Sequence, residues 1–150
     1  MDQQAESILR EVKKAIVGKD DVLSRALMVI LSRGHILLED VPGVGKTTLA
    51  LAFSRAMGIE YRRVQFTPDV VPSDITGFSV YDKQSGGLIY KPGAVMCNLL
   101  LADEINRTSS KTQSALLEVM EEHQVTIDGT THPLPDPFIV IATQNPVGAA

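Results

Sequence analysis

The chain has 150 residues, 44% hydrophobic and 21% charged, which is enough for one domain with a moderate core and excludes a disordered or fibrous protein. A formal charge of -4 gives no electrostatic footprint for nucleic acid. No apolar run is long enough to span a bilayer, the start Met1-Asp2-Gln3-Gln4 is too polar for a secretory signal, and one cysteine, Cys97, excludes an internal disulfide. These features lead us to expect a cytoplasmic, reducing location.

From Ala5 to Ile16, the apolar positions Ile8, Leu9, Val12, Ala15 and Ile16 recur at helical spacing opposite Glu11, Lys13 and Lys14, predicting an amphipathic helix. Val17-Gly18-Lys19-Asp20 breaks it. Asp20 or Asp21 is expected to cap a second helix through Val22, Leu23, Ala26, Leu27, Ile30 and Leu31, with Gly34 as its terminator. Gly18 reads two ways: a plain helix terminator, or, beside Ile16 and Val17, a place where a flat purine ring lies close to the backbone.

His35-Ile36-Leu37-Leu38-Glu39 is a strand-length apolar run. It feeds the loop Asp40-Val41-Pro42-Gly43-Val44-Gly45-Lys46-Thr47-Thr48, which feeds the helix formers Leu49, Ala50, Leu51, Ala52 and Phe53. Strand, phosphate loop, helix is the reading. A loop without bulky side chains can turn its N–H groups around a triphosphate at a helix N-terminus, and Gly43 and Gly45 supply that backbone. Lys46 would sit between the outer phosphates, and the Thr47 hydroxyl would take one position on Mg²⁺. The pattern G-x-x-x-x-G-K-[ST] asks for glycine where this chain has Asp40. A helix start with a Gly-Pro turn and a solvated lysine is the competing reading.

Tyr61 to Phe66 is a short strand closed by Thr67-Pro68-Asp69. Between Pro72 and Pro92, the runs Gly77–Tyr81 and Leu88–Tyr90 flank a turn at Asp82 to Gly87, predicting a hairpin that is either a binding edge or a solvent-facing flap. Ala94 to Leu101 is an apolar run expected to be a buried parallel strand, with Asp103 and Glu104 at its tip. One carboxylate there can serve the Mg²⁺ shell while its neighbour polarises the attacking water; capping of the next helix is the alternative. Thr108 or Ser109 should cap a helix from Ser110 to about His123, with Ala115, Leu116, Val119 and Met120 inward and Glu118, Glu121 and Glu122 solvated. Gln124 to His132 is a second hairpin with Asp128-Gly129 in its turn. Pro133, Pro135 and Pro137 lead into a third core strand, Phe138–Ala142. It ends at Thr143-Gln144-Asn145-Pro146, where Asn145 can reach the γ-phosphate or the water, or is a plain turn residue.

Taken together, the segments Leu38–Thr47, Gln65–Asp69, Pro72–Gly77, Leu101–Arg107 and Ala142–Pro146 resemble the MoxR-type AAA+ ATPases, across nearly the whole chain and in the family's order. That family tolerates a non-glycine at the position of Asp40. The resemblance implies an α/β fold: a three-layer P-loop NTPase parallel sheet with helices on both faces and two β-hairpin insertions. It implies an ATP- and Mg²⁺-dependent remodelling or chaperone-like motor, a homo-oligomeric ring, often a hexamer, acting on protein partners that carry von Willebrand factor A domains. Residue by residue, Pro42, Gly43, Val44, Gly45, Lys46, Thr47 and Thr48 hold phosphate, Thr47 and Asp103 serve the metal, and Glu104 activates water. Asn145 senses the γ-phosphate, Val17 and Gly18 pack on adenine, and Arg107 either reaches across a subunit interface or caps its own helix.

The sequence stops at Ala150, where a full domain of the family continues with a fifth strand, an arginine finger and a helical lid. The expectation is therefore a partial core, residues 1–150, that binds nucleotide far better than it hydrolyses it. A nucleotide-dependent binding module without appreciable hydrolysis is the runner-up. A small-molecule kinase would need a basic acceptor clamp, and Gln65 to Tyr90 offers hairpin residues and acids instead; no Asn-Lys-x-Asp element supports GTP.

Overall fold

A computed structural model describes residues 3–16, 18–39 and 45–144. Helix α1 (Gln3–Ala15) buries Ala5, Ile8 and Val12, α2 (Asp20–Leu31) buries Leu23, Ala26, Leu27 and Ile30, and α3 (Lys46–Met57) buries Leu49, Ala50, Ala52 and Phe53. Each set is one stripe at a spacing of three or four residues, so each helix has a single face to cover. They cover the same face of a parallel sheet formed by β1 (Ile36–Glu39), β2 (Tyr61–Gln65), β5 (Leu99–Asp103) and β8 (Ile139–Gln144), in the order β1-β8-β5-β2. No helix among the described residues is long and apolar enough to cross a membrane.

The two central strands decide the architecture. Leu99, Leu101, Ile139 and Ile141 join α1, α2 and α3, whereas Leu100, Ala102, Val140 and Ala142 point to the other face, among Phe66, Val95, Leu116 and Val119. Successive residues of a strand face opposite ways, so an unbroken apolar run can only be a strand covered on both sides. The second covering layer is α5 (Ser110–Glu122) with the short α4 (Pro72–Thr76). The three-layer fold expected from the sequence is the fold observed.

Both hairpins form. β3 (Gly77–Asp82) pairs with β4 (Gly87–Pro92), and β6 (Gln124–Ile127) pairs with β7 (Thr130–Pro133) across Asp128 and Gly129, both at positive φ. Tyr90 of the first stacks on His132 of the second, with ring centroids 3.9 Å apart. At the base of the first hairpin, a Cβ on Gly93 would overlap the Gly77 nitrogen and the Ile75 carbonyl, so the backbones touch there as only glycine allows.

Several boundaries differ from the sequence reading. Lys19 is the N-cap of α2; Asp20 and Asp21 lie inside its first turn, where a negative charge favours the helix dipole without capping it. That helix stops at Leu31, and the left-handed residue that turns the chain is Arg33, with the Gly34 N–H closing on the Val29 carbonyl. β5 starts at Leu99, not Ala94, because the amides of Ala94 and Val95 are taken by the carbonyls of Asp74 and Ile75 in α4 and cannot enter the sheet. Helix α4 itself was not expected; Pro72 opens it and Asp74 Oδ2 accepts the Val71 N–H at 2.9 Å. β8 starts at Ile139 and continues through Gln144, and α5 is capped by Ser109, whose hydroxyl accepts the Thr112 N–H.

His35, immediately before β1, ties two layers together. Its Nδ1 accepts the Val140 N–H at 3.0 Å, which leaves the proton on Nε2, 3.4 Å from the Met120 carbonyl of α5. Burial lowers its pKa from the ordinary 6.5; the Met120 contact works the other way and the nearby His123 adds to the lowering. The unfolded chain therefore takes up this proton first as pH falls. The stabilising neutral form contributes fully above pH 6.5 and is lost as pH drops through the lowered folded-state value. Urea midpoints measured from pH 7.5 to 5.5 should fall, and His35→Gln should flatten that slope. By the same assay, Gly93→Ala should cost about 1–3 kcal/mol or more, since the atoms it meets are backbone.

Candidate functional site

The carboxyl ends of the four parallel strands share one edge. Glu39 is level with Gln144, and Gln65 with Asp103. A crevice outside the carboxyl ends of an open α/β sheet is where ligands bind. α3 begins at the same edge: Gly45 is its N-cap, Lys46 is half-buried, and Thr47 and Thr48 are exposed. A Cβ on Gly45 would come within 3.0 Å of Thr48 Oγ1, so the N-terminal turn closes tightly around this residue.

Asp103 and Glu104 sit at the tip of β5 as expected, and one buried hydroxyl joins them to β8. Thr143, with no solvent exposure, donates to Asp103 Oδ1 at 2.6 Å and accepts the Glu104 N–H at 2.9 Å. Glu104 is in the left-handed region (φ 58, ψ 52), which turns the chain sharply into the 3₁₀ turn Ile105–Arg107. Such a conformation costs a non-glycine residue about 1–2 kcal/mol, and strain of this kind concentrates at functional sites.

The surroundings of the two acids differ. Burial pushes the Asp103 carboxyl up, but hydrogen bonds from Arg63 and Thr143 and the charges of Arg63 and Lys46 outweigh it and hold the group below the usual carboxylate range. Arg63 Nη2 lies 2.6 Å from Asp103 Oδ2 and 3.0 Å from Gln65 Oε1. Gln65 in turn donates through Nε2 to Glu104 Oε2 at 3.0 Å, and Arg107 Nη1 reaches the same oxygen at 3.2 Å. Arg107 therefore engages the acid three residues before it.

The structure thus gathers Asp103, Glu104 and the start of α3, with the Lys46 charge acting on Asp103. Gly18, at φ 82, is exposed with open space around it, in a cleft it shares with Lys19, Asp20, Asp21 and Val22. Its glycine is needed for the backbone angle. Val17, Asp40, Pro42, Gly43, Val44 and Asn145 lie outside the described residues. Sequence reasoning missed Arg63, Gln65 and Thr143. Strand alternation puts Arg63 and Gln65 on one face of β2, but nothing in the sequence says that β2 lies beside β5.

The donor set suits a hard cation with few protein ligands. Among the described residues, no three His, Cys, Asp or Glu side chains converge on a common point. Mg²⁺ does not ask for such a cage; it takes one or two protein oxygens and completes its shell with water and phosphate, and the Asp103 carboxylate, held ionised at the sheet edge, is an oxygen of that kind.

Comparison with known proteins bears on the family and the fold. The sequence profile of a family described as "ATPase family associated with various cellular activities (AAA)" matches residues 35–150. YeaC of Bacillus subtilis is 54% identical over 93% of this chain and 43% of its own length, and the chaperone MoxR1 of Mycobacterium tuberculosis is 51% identical over 95% of this chain and 38% of its own. A solved structure of a proposed ATPase from Cytophaga hutchinsonii superposes with a TM-score of 0.84 at 46% identity, over 98% of this chain and 44% of that one. The chain thus spans about two-fifths of the length of the relatives it matches.

Thr143→Val keeps the shape of the side chain and removes its hydroxyl, leaving a buried carboxylate oxygen and the Glu104 N–H each without that partner. It should cost about 1–3 kcal/mol in urea unfolding. Thr143→Ser should restore most of the loss.

Proposed function

The chain belongs to the ATPase family associated with various cellular activities (AAA), in its MoxR-type branch, and on that footing we propose that its sheet edge binds ATP and Mg²⁺ and hydrolyses the nucleotide. The observation that carries this is the pair of consecutive carboxylates at the tip of a strand buried on both faces, joined by one hydroxyl and lying beside the N-terminus of α3. The residues have distinct parts. Gly45 and the first N–H groups of α3 would hold phosphate, together with Pro42, Gly43, Val44 and Thr48, and Lys46 would place its ammonium against it. Asp103 and the Thr47 hydroxyl would hold Mg²⁺, which supplies charge neutralisation to the phosphates when bound. Glu104 would take a proton from, or polarise, the attacking water, with Asn145 beside the γ-phosphate; Val17 and Gly18 would flank adenine.

Residues 1–150 act in this reading as one nucleotide-binding core. Its work is remodelling of a protein partner, one with a von Willebrand factor A domain among the candidates, by a hexameric ring in the cytoplasm. A relative named as a chaperone supports it, as do the exposed Phe78, Tyr81 and Leu88 of the first hairpin. Turnover by the 150 residues alone is expected to be slow. Arg107, which the structure places at this edge, is engaged with Glu104 and so is not turned toward a transferring phosphoryl group.

One observation favours a second reading, a nucleotide-dependent switch without appreciable hydrolysis: Glu104 Oε2 already accepts from both Gln65 and Arg107. Binding of a fluorescent ATP analogue and phosphate release separate the two. Lys46→Ala should abolish binding. Glu104→Gln should leave binding within about twofold and lower whatever turnover the parent shows by about 100-fold or more. Tight binding with no turnover in the parent would favour the switch, and equal measurable turnover in parent and Glu104→Gln would remove Glu104 from the mechanism.

A further inference from the structure

Arg63 has a contact that a permanent ion pair would not choose. An arginine built for stability presents two nitrogens side by side to a carboxylate. Here one nitrogen, Nη2, serves both Asp103 Oδ2 at 2.6 Å and Gln65 Oε1 at 3.0 Å. The Arg63 side chain is 47% exposed on the edge strand β2, while the Asp103 side chain is 13% exposed. The acid is therefore fixed and the guanidinium can swing into solvent. Any divalent cation brought to Asp103 has the same sign as Arg63 and approaches the same carboxylate, so the two repel and compete.

We propose that Arg63 is a resident counter-cation that the divalent metal displaces: it occupies the Asp103 carboxylate while the metal is away and swings into solvent when the metal takes that oxygen. Arg63 is a positioning residue in this scheme. The scheme rests on the nucleotide-site reading above and adds to it a sign: removing a contact to the metal carboxylate should strengthen metal binding.

The test is Mn²⁺ binding to the whole chain in the presence of a non-hydrolysable ATP analogue, read by electron paramagnetic resonance, which needs no turnover. Arg63→Gln should bind Mn²⁺ about 3- to 10-fold tighter than the parent, and Arg63→Lys, which restores the charge, should return close to it. Unchanged or weaker binding in Arg63→Gln overturns the proposal, since a residue that only props up Asp103 would weaken the metal when removed. If the parent, Arg63→Gln and Asp103→Asn all fail to bind Mn²⁺ with nucleotide, the nucleotide-site reading itself has failed and the counter-cation falls with it. A second measurement uses the unaltered chain: the Arg63 guanidinium ¹⁵N signals should show restricted rotation without metal and free rotation once Mg²⁺ and the analogue are added. Rotation that stays restricted with Mg²⁺ bound overturns the proposal independently of how any variant folds.

Discussion

Everything at the sheet edge follows from the burial of β5 and β8 on both faces. Leu99, Leu100, Leu101, Ile139, Val140 and Ile141 have no solvent exposure, and each contributes about 1.5–3 kcal/mol that would be forfeited by a polar replacement. Polar chemistry is therefore excluded from the body of these strands and confined to their ends. Thr143 is the buried polar group at this boundary, and its hydroxyl is satisfied by the carboxylate of Asp103 and the amide of Glu104. The hydroxyl positions both acids by the same atom. That arrangement keeps the tip of β5 level with the tip of β8 and holds Glu104 in its left-handed turn, whose cost of about 1–2 kcal/mol is offset by the bond that the turned N–H makes.

Two neighbouring acids of similar intrinsic acidity acquire different tasks from their neighbours. Asp103 points to the face carrying Arg63 and is drawn toward permanent ionisation by that guanidinium, by Thr143 and by Lys46. A carboxylate that stays charged is what a hard cation requires. Glu104 lies past the strand and is held, half-buried, by a neutral amide, Gln65, and by Arg107. Geometry divides the work between binding a metal and polarising a water, and one residue, Gln65, touches both sides of the division.

The central layer was legible because long apolar runs bounded by glycine and proline have few folded solutions, and the hairpin turns because Asp128-Gly129 states its own backbone angles. The boundaries went astray where tertiary partners captured the backbone. Ala94 and Val95 look like strand residues, but α4 takes their amides; Gly34 looks like the residue that turns the chain, but Arg33 assumes the left-handed angle. The acids were legible from their place after an apolar run. Arg63 and Gln65 were not, because their meaning depends on β2 pairing with β5, a contact between residues 40 apart in the chain that no local pattern announces. Thr143 was hidden for a related reason: at the end of an apolar strand a threonine reads as a strand former, and only the neighbouring tip gives its hydroxyl work.

The same packing defines how the site can reach the hairpins. The turn after Glu104 runs into Thr108, whose hydroxyl, like that of Thr112 in the first turn of α5, donates to the Val70 carbonyl just ahead of α4 and the first hairpin. At its other end α5 passes through the left-handed His123 straight into β6 of the second hairpin. Tyr90 and His132 then stack the hairpins on one another, and the glycine contact of Gly77 with Gly93 leaves no slack at the base of the first. Hairpins rooted this firmly are joined to the acids through α5, whose buried Thr112, Leu116 and Val119 form the one face by which that helix packs on the sheet.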